Sequence, residues 1–592
     1  SYLHRLCELV LAGLINSLFI GGVMDPVTQL HQLFHDEWEN RLQFDPLFAT
    51  STGDARYNDR LPRLREEDYA AYLGHLRIFR QRLEGIARAG LPPAEALNYD
   101  IWKRLIDNEI RELELGGFRL PLSKVWGFHL AFPDCYLSMP FGNAEDYEKY
   151  IARLNAFPRY VADQIELMRA ALQQGFIPPR AILDGVDEAI RAQMVTEPAD
   201  SVLYQPFLSF PPGMGEAQRQ RLSQAGKAAI QGAVIPGFQV GLAFLLEEYL
   251  PAARETIASA DLPHGLEFYA HRIRMHTSLD LTAEEVHQTG LDEVRRIRQE
   301  MEAVMGQVGF SGTFRQFIDF LRTDPRFYVQ TAEQLLEKTA LVLKRMDGEL
   351  PRMFNTLPRL PYGIRPIPDF SAPGNTAAYY FPGPGDGSRA GVYYVNTYDL
   401  PSRPLYEIEA LSLHEAVPGH HLQIALQQEL TNLPLFRRFS GFTSFYEGWA
   451  LYAERLGLES GFYQDPYSNF GRLSYEMWRA CRLVVDTGMH ALGWTRQQAI
   501  DYMLEYTSST LLNITNEVDR YIAWPGQALA YKIGELKIRA LRARAEAALG
   551  AKFDLRRFHD VLLLQGAVPL DVLEAMVVGY IADVRQSIVF SG

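Results

Sequence analysis

The stretch Ser412–Gln423, SLHEAVPGHHLQ, gathers three of the 14 histidines of the chain, His414, His420 and His421, with Glu415 directly after the first. Helical patterns run into it from both sides. How it bends decides what the surrounding helices are arranged to hold.

Zinc hydrolases of the HExxH kind place two imidazoles one turn apart on a helix, with a carboxylate beside them that takes a proton from water. Here the position four after His414 is Pro418. On an ideal helix His421 returns to within ~20° of His414 but lies ~10.5 Å along the axis, whereas His420 lies ~9 Å along and ~120° away. A straight helix brings neither to His414. Pro418 cannot donate a backbone hydrogen bond, and Gly419 tolerates dihedrals closed to other residues. The pair therefore reads as a looped-out insertion that returns a later histidine to the ligand position. The rise favours His420 and the azimuth favours His421. We take His420 as the ligand, with His421 as the alternative lining the site. The plainer alternative is a helix end capped by Gly419, its histidines on the surface and favoured by the dipole.

A third ligand is offered by TSFYEGWALYAERLG, residues 443–457, where Glu447 follows His421 by 26 residues in a second helical pattern. Tyr446 and Trp449 suggest burial, where an unpaired carboxylate is costly and a metal would relieve it. Glu454 lies on the same face and could orient a ligand histidine; an ion pair with Arg455 or Arg437 is the plainer reading. In YEMWRACRLVVDTGMH, residues 475–490, Arg482, Asp486 and His490 stand four apart on one face. They read as an ion-paired stripe, or as placing Asp486 or His490 in the cleft as a metal-supporting or substrate-binding group.

Between residues 351 and 391 prolines and glycines are too dense for helix. The β-branched and aromatic run Val392–Asn396 then reads as a strand. As an edge strand beside the metal helix it would take an extended peptide as one more strand, with Asn396 and Tyr394 binding substrate and the Pro/Gly stretch as a cleft wall or lid. Before it, residues 26–350 read as long helices, with breaks at the proline pairs 92–93, 178–179 and 211–212. We expect a mainly α fold in one integrated unit: an apolar N-terminal extension (1–25), a helical lobe (26–350) and a metal-site lobe (351–592) with a small sheet.

The extension carries an apolar run, Leu9–Met24, preceded by His4 and Arg5. It resembles the central region of a signal peptide, yet Glu8 and Asn16 interrupt it and no A-x-A site follows. Met24 offers an alternative start, and cytoplasmic and exported locations are both compatible. The run is short for a membrane span, and no other stretch reads as one. The 592 residues include 47% hydrophobic and 22% charged side chains, an ordinary globular balance. With 58 basic against 72 acidic residues, a formal charge of −14 and no basic run, nucleic acid is disfavoured as a partner. Three scattered cysteines exclude a thiolate zinc site, so any metal must sit on histidine and carboxylate.

HEAVPGHHLQ, SFYEGWALYAE and RYIAWPGQALAYKIG, in this order, resemble the bacterial family numbered 885 among domains of unknown function, which is grouped with zincin-like metallopeptidases. More distantly they are similar to carboxypeptidase Taq, oligopeptidase F and angiotensin-converting enzyme. The resemblance implies a nearly all-helical body with a deep cleft, and a gluzincin site in which two histidines and one glutamate hold zinc. His414 and Glu447 transfer as ligands and Glu415 as general base. The second histidine does not transfer cleanly, because those relatives have no Pro-Gly insertion. It also implies a tyrosine beyond the metal helix that stabilises the tetrahedral intermediate: Tyr531 first, Tyr521 second. Beside the resemblance, His490 is a further catalytic candidate for stabilising the oxyanion, and Gln527 a candidate for binding substrate. The expected function is zinc-dependent hydrolysis of short peptides with one Zn²⁺. The alternatives are a metal-dependent amidase or esterase on small substrates, and a catalytically inactive peptide-binding protein.

Overall fold

The computed structural model describes residues 24–589. The apolar run up to Val23 lies outside them. The fold is mainly α, about 70% helical. Its first helix, Pro26–Phe44, shows why: Asp25 accepts hydrogen bonds from the amides of Val27 and Thr28, Pro26 presets the first turn, and Leu30, Leu33, Phe34 and Trp38 face inward. The proline pairs lie between helices as expected, with Pro93 opening the helix Pro93–Glu114 and the helix Ala144–Gln173 ending before Pro178. Apolar packing is continuous from Leu30 to Val584.

One continuous helical run, Glu216–Ala252, is long and apolar enough by length and composition to cross a membrane, contrary to the expectation that no stretch beyond the N-terminal run reads as a span. It is 61% buried inside the protein over its apolar window, which is how a core helix looks.

The Pro/Gly-rich region holds a three-stranded sheet, β1 (Tyr362–Pro366), β2 (Ala378–Phe381) and β3 (Gly391–Val395), in the order β1-β3-β2. β3 runs parallel to β1 and antiparallel to β2. The expected strand is therefore present, but at the centre of the sheet. The exposed edge beside the site belongs to β2.

Six helices then build the site: Ile408–Glu415, His420–Gln428, Thr443–Leu456, Pro466–Ala491, Leu511–Ala523 and Ala530–Leu549. Helices 443–456 and 530–549 cross at Gly448 and Gly534. A Cβ on either would meet the backbone of the other helix. This close approach brings Glu447 and Tyr531 to one cavity. Gly534→Ala should therefore lower the unfolding free energy by about 1–3 kcal/mol, read from the urea midpoint; an unchanged midpoint would show that the crossing has room to spare.

Candidate metal centre

The helix that starts at Ile408 stops at Glu415, and a new one begins at His420. Between them the Val417–Pro418 bond is cis. The broken ladder is repaired locally: the Gly419 amide donates to Leu413 O (2.9 Å) and the His421 amide to Ala416 O (3.0 Å). Trp449 Nε1 donates to Pro418 O at 2.8 Å. A Cβ on Gly419 would collide with the carbonyls of Leu413 and His414, so the turn requires glycine. The turn sets the His414 and His420 rings 4.7 Å apart and nearly perpendicular.

Both rings aim Nε2 at one carboxylate oxygen, Glu447 Oε2, from 3.5 Å for His414 and 3.1 Å for His420. The ligand atoms of the three residues lie within 4.8 Å of one another. Glu447 Oε2 is buried yet has no hydrogen bond of good geometry among the described residues. A buried carboxylate oxygen in that position is expensive. Two imidazole nitrogens and a carboxylate converging on one point fit a divalent cation of the zinc kind by donor type and spacing.

Behind His414, its Nδ1 donates to Glu454 Oε1 at 2.9 Å, and Arg479 Nη2 reaches the same oxygen at 2.9 Å. A carboxylate only accepts, so Nδ1 carries a proton and Nε2 is the nitrogen turned to the cavity, its lone pair available once a cation displaces the second proton. Burial works to depress the His414 pKa, but the Glu447 and Glu454 carboxylates outweigh it and hold it up to about 9. Burial likewise opposes ionisation of Glu447, and His420 and His414 overcome it, holding Glu447 well below the usual carboxylate range. The cluster is thus charged, and a cation would replace the proton shared there.

A cavity of about 530 Å³ opens onto the cluster. Its lining includes Glu415, Tyr531 and Gln527. The Glu415 carboxylate makes no hydrogen bond among the described residues. The Tyr531 ring lies nearly parallel to His414 at 6.1 Å, and its hydroxyl accepts from Gln527 Nε2 at 3.3 Å. Ala378, Tyr379 and Tyr380 bring the unpaired edge of β2 to the same wall.

Several expected site residues lie elsewhere. His421 points away: its Nε2 donates to Leu360 O (2.9 Å) and its Nδ1 accepts from Tyr380 (2.8 Å). Tyr521 is fully buried beneath the cavity wall, accepting from Trp478 Nε1 and Arg482 Nε. His490 is enclosed between the Ser259 amide and Tyr521 O. Asp486 accepts from Tyr269 and the Gly526 amide. These three hold helices together and do not line the cavity. Asn396 is also buried, donating to the carbonyls of Ala372 and Thr376. It pins the loop before β2. Tyr394 faces the opposite side of the sheet and stacks under Tyr379 at 5.0 Å. The sequence reading missed Arg479, Arg520 and the β2 edge, and did not separate Arg482 from its stripe. WRACR carries the arginine signal: two guanidines three apart beside a tryptophan, inside a helix otherwise rich in apolar residues.

The chain belongs to the family described as bacterial proteins of unknown function, DUF885, whose model matches residues 46–577. It is similar to the crystal structure of a "putative lipoprotein" from Colwellia psychrerythraea, at 29% identity and a TM-score of 0.89, covering 95% of this chain and 100% of that one. A "putative lipoprotein of unknown function" from Shewanella oneidensis shares the fold at 19% identity and a TM-score of 0.66, covering 93% and 99%. No curated protein matches the chain.

The structural role of Asp486 has a pH signature. Burial pushes its pKa up to about 7 from 3.8, so the folded protein keeps a proton that the unfolded chain releases. This contribution is full below the unfolded value and is lost as pH rises through 7. Asp486→Asn keeps an oxygen to accept both hydrogen bonds. Its stability relative to the native protein should rise between about pH 4 and about pH 7, by about 1.4 kcal/mol per pH unit. His490, pushed down by burial to about 4, acts oppositely but equally in both proteins. A pH-independent difference in urea midpoint would contradict the buried, unpaired carboxylate.

Proposed function

We propose that this protein is a zinc-dependent metallopeptidase of zincin-like build that hydrolyses short peptides in the cavity beside His414, His420 and Glu447. The observation that carries the reading is the pair of imidazole nitrogens aimed at the undonated oxygen of Glu447, with Glu415 beside them. A zinc ion held by these three residues would acidify a water molecule and polarise a carbonyl.

The protein's own groups supply the rest. Glu415 takes the proton of the attacking water and delivers it to the leaving amine. It faces the cavity and is committed to no other partner. Tyr531 is fixed by Gln527 and donates from its hydroxyl to the oxyanion that develops on the scissile carbonyl, worth on the order of 3 kcal/mol. Glu454 holds the His414 ring in the tautomer that leaves Nε2 free, and Arg479 holds Glu454 in place through the same carboxylate oxygen. The unpaired edge of β2 offers main-chain donors and acceptors to an extended peptide. An exported location fits the description of the relatives as lipoproteins.

Calorimetric titration of the full chain with Zn²⁺ should give one ion per chain. His414→Ala, His420→Ala and Glu447→Ala should each abolish tight binding, while His421→Ala should retain it. Glu454→Gln should weaken it about 10- to 100-fold. Glu415→Gln should bind zinc as the native protein does and cleave a mixed pool of short peptides at least 100-fold more slowly. Undiminished cleavage by that variant would refute the base assignment, and equal zinc binding by His420→Ala would refute the ligand set.

A further inference from the structure

Arg482 takes no part in the chemistry proposed for the metal side of the cavity, yet it lines the same space. It is 4% exposed. Its Nη2 donates to Glu517 Oε2 at 2.9 Å and its Nε to the Tyr521 hydroxyl at 2.7 Å. Its Nη1 is buried and has no partner among the described residues. Arg520 reaches the same oxygen of Glu517 at 3.1 Å. Two guanidinium groups therefore share one carboxylate, and one positive charge is left over in the wall. Nearby, Lys124 also lines the cavity, and it shares Asp519 with Arg496. A chain of net charge −14 has thus gathered cations on one side of its cavity.

The surplus sits close to the metal cluster. The Tyr531 ring is 6.1 Å from His414 and 4.3 Å from the Arg482 guanidinium carbon. An extended chain advances ~3.3 Å per residue. A peptide whose scissile bond lies at the cluster therefore reaches Arg482 within about three residues. The ligand that suits a buried guanidinium with an uncommitted N–H is a carboxylate, which the planar fork meets with paired, charge-assisted hydrogen bonds.

We propose that Arg482, with Arg520 beside it, binds the C-terminal carboxylate of the peptide substrate, so that the protein removes residues from the C-terminal end of short peptides; this rests on the peptidase reading. Bound there, the carboxylate fixes how far the chain can advance past Glu415, and the cut falls at a set distance from the terminus. A chain whose terminus is blocked loses that anchor.

The test compares three acetylated tripeptides: Ala-Ala-Ala as the free acid, the same peptide as the amide, and Ala-Ala-Glu as the amide, which carries its carboxylate on a side chain. Trp478 and Trp524 line the cavity, so their fluorescence reports binding to full-length Glu415→Gln protein. The free acid should bind about tenfold to a hundredfold more tightly than either amide. Adding Arg482→Gln, or separately Arg520→Gln, should shrink that preference towards unity while amide binding stays the same. In the zinc-loaded native protein, mass spectrometry should show residues released from the acid and not from the amides. Equal binding of acid and Ala-Ala-Ala amide would overturn the carboxylate site and leave the peptidase reading standing. A Glu amide that matches the acid would overturn the terminal assignment. Acid-selective binding that Arg482→Gln removes, with no cleavage of any peptide, would keep the site and overturn the peptidase reading. No binding and no cleavage of any of the three would overturn both.

Discussion

Buried charge must be neutralised where it lies, and that constraint organises the helices around the cavity. Glu454, Glu517, Glu476 and Lys532 are all withdrawn from solvent and Glu447 is half-buried, and each is met by groups from a different helix. Lys532 alone reaches Glu476 and Glu535 at 2.9 Å and Glu293 at 3.2 Å, tying helix 530–549 to helix 466–491 and to helix 283–307 of the first half. Removing one partner of such a set strands the others and costs about 3–5 kcal/mol. The network therefore adds directional constraints on helix position to those of apolar packing. Tyr531 precedes Lys532 in sequence, so the network that anchors the lysine also sets the phenol against His414.

The break at Pro418 and Gly419 follows the same logic at smaller scale. Ending a helix in the interior leaves amides and carbonyls without partners. Here the 413, 416 and 418 carbonyls are all recovered, the last by the indole of Trp449, which sits two residues after Glu447 on the facing helix. One interaction thus couples the shape of the turn to the position of the third member of the cluster. A straight helix would spare these repairs and would hold His414 and His420 on different faces.

The helical character, the strand at 391–395 and the bend that favours His420 over His421 were all legible, because each rests on local rules: periodicity, β-branching, and what proline and glycine do to a backbone. The roles along residues 475–490 were not. Every residue of that helix from Phe470 to His490 is buried, so its periodicity carries no inside and outside. Which of Arg479, Arg482, Asp486 and His490 meets the cavity depends on what packs against each side, and that is tertiary. The strand was read as an edge, although GVYYV has no polar alternation. A run buried at all five positions is what a central strand looks like, and that signal was available. Glu454 shows the reverse: an arginine ion pair was the plainer reading, and its arginine proved to be Arg479 from another helix, with His414 as a second partner.

The cavity is electrically divided. Glu415 and Glu447 lie on the side of His414 and His420; Arg482, Arg520 and Lys124 lie on the other. Of the other lining carboxylates, Glu517 is shared between the two arginines, and Asp134, whose pKa burial pushes up to about 7, makes no hydrogen bond or ion pair with the cations among the described residues. Below that pH it is largely uncharged, and the guanidinium wall keeps its positive potential. In an enclosed space of low dielectric such a division acts over the length of a short ligand. It gives a molecule that carries charge at one end a preferred direction of insertion before any specific contact forms, and complementarity of this kind governs orientation and register more than raw affinity. A cavity built only to hold an ion would have no use for charge beyond its ligands. The arginines place the second requirement of the site away from the histidine cluster, on the far end of whatever occupies the cavity.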